Sequence, residues 1–127
     1  MADLNQGNRP LSPHLTIYKP QMTSGVSIFH RITGVAMALG AVLIVWWFVA
    51  GAVSPAYFDF VDGLMTSWIG NLVMFIMLWA LMFHALNGIR HLVWDTGRNM
   101  DIETVNSSGW VVIAGSAVLA VILAIIV

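Results

Sequence analysis

His84, Gly88, His91 and Asp95 recur at intervals of four, three and four residues at the end of a long apolar segment. At 3.6 residues per turn they share one helix face, with His84 about 10 Å along the axis from His91. An imidazole carried into a bilayer helix costs free energy unless it has a partner, so an ionisable residue there marks a candidate functional site. Gly88 leaves a notch between the two histidines, where a flat, bulky group or a neighbouring helix can approach the backbone. The combination points to a buried cofactor.

A second cluster, Ser27, His30 and Arg31, lies near the start of an earlier apolar run. Iron in a porphyrin needs axial imidazoles from opposite faces of the ring, which two histidines on one side of one straight helix cannot supply. His84 is therefore the expected ligand, because it lies deeper than His91 and Arg90. The second ligand is His30 or a histidine of another subunit. His30 is expected about one turn inside its helix, and that mismatch in depth favours another subunit. Heme propionates need cations or donors, which Arg31 and His30 can supply. A quinone asks for donors to two carbonyl oxygens and for two protons. Ser27 can donate, Arg31 can stabilise developing negative charge, Asp95 can relay a proton and Ile28 can pack on the ring. Each residue has a plainer role open to it. His84 could bond a backbone carbonyl, Ser27 could cap a helix, Arg31 could snorkel, Asp95 could pair with Arg98 or Arg31, and Ile28 could face lipid.

These side chains must be positioned by membrane helices. The chain has 127 residues, 59% hydrophobic and 9% charged, with a mean hydropathy of +0.86, outside the range of soluble domains. Three uncharged runs, Gly34 to Val53, Gly63 to Ile89 and Gly109 to Val127, are long enough to cross about 30 Å of hydrocarbon. The second exceeds one crossing, so Trp68 and Trp94 are expected as interfacial anchors. Backbone polar groups in lipid must be satisfied internally, which makes an all-α membrane protein the expected class. Three transmembrane helices are placed at about 24–53, 64–94 and 108–127. Residues 1–22, with three prolines, form an extended segment in which Leu11, Leu15, Ile17 and Tyr18 could dock a peripheral partner. Residues 23–127 form the membrane domain. Ser54 to Asp62 reads as a short connection between antiparallel helices, and Ser116 with Ala120 offers a small surface for helix packing.

Basic residues flank the start of the first helix and the end of the second, with none on the other side, so the N-terminus is expected in the cytoplasm and the C-terminus in the periplasm. No signal peptide or mitochondrial transit pattern precedes the first run, which favours a bacterial inner membrane. A net charge of −1 gives no hint of nucleic-acid binding, and the absence of cysteine excludes an iron-sulfur cluster held by this chain alone.

Three motifs in order, Arg-Pro-Leu-Ser-Pro-His-Leu at 9–15, Ser-Ile-Phe-His-Arg-Ile-Thr-Gly at 27–34 and His-Ala-Leu-Asn-Gly-Ile-Arg-His-Leu-Val-Trp-Asp at 84–95, resemble the cytochrome b large anchor subunit of succinate dehydrogenase. With the three spans, the resemblance covers nearly the whole chain. It implies a heteromeric helical bundle in respiratory complex II, beside a flavoprotein, an iron-sulfur protein and a small membrane anchor, embedded in membrane lipid. The chain would be non-catalytic alone and would help pass electrons from succinate to ubiquinone. The resemblance further implies that His84 is an axial ligand of heme b, with the other ligand from the small anchor. His30 and Arg31 would lie near the propionates, and Ser27 and Arg31 would line the quinone site. His91 and Asp95 match family positions, among the heme surroundings and the quinone site respectively. A heme-free structural anchor, as in a related fumarate reductase, is the alternative, and a small transport subunit using His84 in a proton path is less consistent with polar groups confined to one side.

Overall fold

The structure, a computed structural model, describes residues 18–126 and contains four helices, α1 (Met22–Val53), α2 (Pro55–Met65), α3 (Trp68–Asp95) and α4 (Ile102–Ile126). The expected docking residues Leu11, Leu15 and Ile17 lie outside the described residues; Tyr18 is exposed, its hydroxyl 3.0 Å from Ser24 Oγ. No strand occurs among the described residues. Helices α1, α3 and α4 are long and apolar enough to cross a membrane, which makes the chain a multi-pass membrane protein.

The chain reverses where local chemistry ends each helix. Ser54 precedes Pro55 and is held extended, at φ −166° and ψ 154°, because a following proline disfavours helical backbone. The same residue then starts α2: its Oγ accepts from the Tyr57 N–H at 3.2 Å, with Pro55 in the first turn. The segment expected as a plain connection is thus helical, a correction made by this cap and by two indoles of α1. Trp46 Nε1 donates to the Tyr57 hydroxyl at 2.8 Å, and Trp47 Nε1 donates to Asp62 Oδ1 at 3.0 Å. Ser67 caps α3 through the Gly70 N–H, and a Cβ at Gly70 would collide with the carbonyls of Leu64 and Met65. At the other end, Gly97 adopts φ +75° just past α3, a conformation that glycine takes without penalty. Asp101 Oδ1 accepts from the Thr104 N–H at 2.8 Å and starts α4 at Ile102, six residues earlier than the apolar run suggests.

Helix α3 packs on both α1 and α4. Contact is made through small residues. Gly40 lies against Met77, Gly109 against Met22 and Val26, and Gly115 against Leu86. Ser116 and Ala120 are fully buried on α4, as their spacing suggests. Large side chains such as Val35, Val42, Phe48 and Trp68 point outward, where lipid is as good a solvent as a protein interior. The tight core, Val26, Phe83 and Val112, sits at the end of the bundle where α1 starts, α3 finishes and α4 starts.

Candidate functional site

At that end, α1 and α3 bring three histidines together. The His30 and His84 rings stack with centroids 3.8 Å apart and planes 15° from parallel; His91 lies 5.5 Å from His30 and meets Trp94 edge-on at 5.0 Å. The expected mismatch in depth between His30 and His84 is therefore corrected. Helix α1 begins at Met22, so His30 is a full two turns inside and reaches the level of His84. Two stacked rings still cannot hold opposite faces of one macrocycle.

His84 Nδ1 lies 3.1 Å from the backbone oxygen of His30 and 3.3 Å from Thr33 Oγ1. A carbonyl oxygen only accepts, so Nδ1 carries the proton in the neutral ring, and Nε2 keeps its lone pair. Nε2 has no hydrogen-bond partner among the described residues, and it is not sealed by protein, unlike the buried, unpartnered Nδ1 of His30. The carbonyl bond that was the plainer role for His84 thus exists, and it leaves the lone pair of the other nitrogen unused by this chain's described residues. No group of three or more His, Cys, Asp or Glu side chains among the described residues could hold a free ion. A metal at His84 must bring most of its ligands with it, as a heme does, and this donor set fits one axial position of a heme. No atom of another residue lies within 4 Å of a Cβ built on Gly88, leaving the expected notch open toward the outside of this chain.

The quinone candidates are arranged differently. Ile28 and Arg31 are exposed on the outward surface of α1, Ser27 is half-buried one turn before Arg31, and Arg31 borders a shallow groove with Ile32, Val35, Ala36 and Leu39. Asp95 is exposed at the end of α3, one turn past His91. The structure gathers the histidines, leaves Ile28, Arg31 and Asp95 exposed, and keeps Ser27 half-buried.

Four residues that position the site were not singled out by the sequence. Thr33 is 2% exposed and touches His84, and Gly34 gives that ring its floor, since a Cβ there would stand 3.2 Å from His84 Cε1. Asn87 and Arg90 continue a second stripe of α3, Ala80, Phe83, Asn87 and Arg90, all buried. Arg90 is 7% exposed, because the early start of α4 covers it. Its Nε donates to Ser108 Oγ at 2.9 Å, Nη2 to the Val105 carbonyl at 2.6 Å and Nη1 to Asn87 Oδ1 at 3.4 Å, and its guanidinium lies 4.0 Å from the Trp94 ring centroid. A polar stripe repeating every three and four residues in an apolar helix was the available signal.

Three apolar spans with a half-buried imidazole cluster at one end define a polytopic helical membrane protein. Residues 5–123 match the family described as "Succinate dehydrogenase/Fumarate reductase transmembrane subunit", and the chain belongs to that family. It is 47% identical over 126 residues to a protein of Paracoccus denitrificans named "Succinate dehydrogenase cytochrome b556 subunit", covering 99% of this chain and 97% of the relative. A protein of the same name from Rickettsia conorii is 41% identical over 115 residues, covering 91% of this chain and 90% of that one. The "Succinate dehydrogenase cytochrome b560 subunit" of Marchantia polymorpha is 43% identical over 121 residues, covering 91% and 88%.

Proposed function

We propose that this chain is the large membrane anchor of a succinate:ubiquinone oxidoreductase, where it co-ligates heme b through His84 and contributes to the ubiquinone-reduction site. The observation that carries this reading is the hydrogen bond from His84 Nδ1 to the His30 carbonyl, which leaves Nε2 as an accessible lone pair. The names of the relatives, which include cytochrome b, support it. Heme b, when bound, supplies a one-electron carrier within the membrane. His30 and Arg31, with His91, would serve the propionates and surroundings, and a small anchor subunit would supply the second ligand, since no other ring among the described residues is placed to do so.

Ubiquinone is the substrate, taking two electrons and two protons to become the quinol. The electrons reach the membrane from a flavoprotein that oxidises succinate and an iron-sulfur subunit docked on the histidine side. Ser27 donates a hydrogen bond to one carbonyl oxygen, and Arg31 stabilises the negative charge that grows there. Ile28 packs on the ring, and Asp95, exposed where α3 meets water, passes protons. Ile28, Arg31 and Asp95 are exposed, so neighbouring subunits complete the site. Lys19, Arg31, Arg90 and Arg98 all belong to the histidine side while α2 carries no basic residue, which favours a bacterial cytoplasmic membrane with the N-terminus inside and the C-terminus in the periplasm.

The test is a dithionite-reduced minus air-oxidised spectrum of the assembled complex. Sharp b-type bands are expected, lost in His84→Leu and kept in His14→Leu. A featureless spectrum from an intact complex would replace this reading with a heme-free anchor.

A further inference from the structure

Thr33 is buried, although its hydroxyl sits in a membrane helix. Its Oγ1 lies 2.9 Å from the carbonyl of Phe29 and 2.9 Å from that of His30. A hydroxyl has one proton to donate and two lone pairs. When that proton goes to the Phe29 carbonyl, four residues back, the lone pairs remain for the third neighbour, His84 Nδ1 at 3.3 Å. The Nδ1 proton is then shared between two acceptors, the His30 carbonyl and Thr33 Oγ1.

The ring is confined on its other sides. His30 stacks on one face, and the bare α-carbon of Gly34 meets the ring edge, where a Cβ would come 3.2 Å from Cε1 and 3.7 Å from Nδ1. Cε1 joins the two ring nitrogens, so pressure there turns the direction in which Nε2 points.

We infer that Thr33 and Gly34 are positioning residues for the iron ligand, Thr33 as the second acceptor that fixes the tautomer and basicity of His84, and Gly34 as the contact that sets its ring plane. The inference rests on the heme reading above. An acceptor on the remote N–H makes an imidazole a stronger donor to its metal, and a stronger donor favours ferric over ferrous iron. Removing one acceptor therefore raises the midpoint potential of the heme.

The experiment compares Thr33→Val, Thr33→Ala and Thr33→Ser in the assembled complex by spectroscopic redox titration. Valine keeps the branched shape without the hydroxyl, and serine keeps the hydroxyl. A positive shift common to the valine and alanine variants, with serine at the wild-type value, is the expected result. A shift in alanine alone would assign the effect to packing, and wild-type potentials in both would remove the hydroxyl from the account; either overturns the role of Thr33. Gly34→Ala supplies an independent reading through the low-spin ferric electron paramagnetic resonance spectrum. Its largest g value is expected to move as the ring turns, and an unchanged value overturns the role of Gly34. Loss of all b-type bands from the wild-type complex would instead defeat the heme reading itself, which separates the two failures.

Discussion

The backbone oxygen of His30, 3.1 Å from His84 Nδ1, holds the ring of His84 independently of the side chain that His30 carries. His30→Leu is therefore expected to retain b-type absorption with a shifted midpoint potential, because the stack is lost while the carbonyl stays. Complete loss of the bands, as in His84→Leu, would show that His30 is itself a ligand.

Ser27→Ala and Arg31→Ala are expected to slow quinone reduction by about 100-fold or more, the scale of a lost hydrogen bond to a developing charge. Succinate oxidation with a soluble artificial acceptor should stay near the wild-type rate. Equal losses in both assays would point to failed assembly.

Arg90 makes three hydrogen bonds, two of which join α3 to α4 while the third holds Asn87 on its own helix. Intramembrane bonds average about 0.6 kcal/mol each, so Arg90→Leu should destabilise the fold by roughly 2 kcal/mol. A lower midpoint in detergent denaturation would register it. Lysine cannot reproduce the fork of donors and should rescue only part of the loss.

Gly40 tests the contact between α1 and α3. A Cβ there would stand 3.2 Å from the sulfur of Met77, which is flexible, so Gly40→Ala should be tolerated. Gly40→Leu should cost about 1–3 kcal/mol by overpacking and separate His30 from His84. Thermal inactivation and the heme spectrum of each variant distinguish the two cases.

Asp101 lies outside the spans, and its carboxyl is held below the usual range by the hydrogen bond from the Thr104 N–H. A depressed folded-state value means that the capping stabilisation is fully present above the unfolded value, about 3.9, and is lost as pH falls through the folded one. Protection of the first-turn amides of α4 against exchange, relative to the intrinsic rate at each pH, should fall in that acidic window. Asp101→Asn should remove the dependence.

The spans were legible because long uncharged runs leave few alternatives to helices in lipid, and the stripe of His84 and His91 because ionisable groups are rare there. Helix α2 was hidden. Pro55, Asp59 and Asp62 read locally as a turn, whereas its helix depends on the Ser54 cap and on Trp46 and Trp47 reaching across from α1. Thr33 could not be told from a lipid-facing threonine before α3 was known to lie against it. The burial of Arg90 was hidden because α4 was placed too late to cover it. Residue spacing left the second ligand open between His30 and another subunit; the stacking of His30 on His84, which argues against His30, became visible only once α1 and α3 were packed together.

The two indole bonds between α1 and α2 give the molecule a waterline. They tether the far end of α1 beside the polar edge of α2, and about 20 residues span the oil, so counting back from Val53 brings the near shore to about Gly34. Counting forward from Trp68 reaches about Gly88 on α3. The imidazole cluster thus straddles the seam between oil and water, within about two helical turns of it on either helix. A proton from bulk water reaches that cluster after a very short journey.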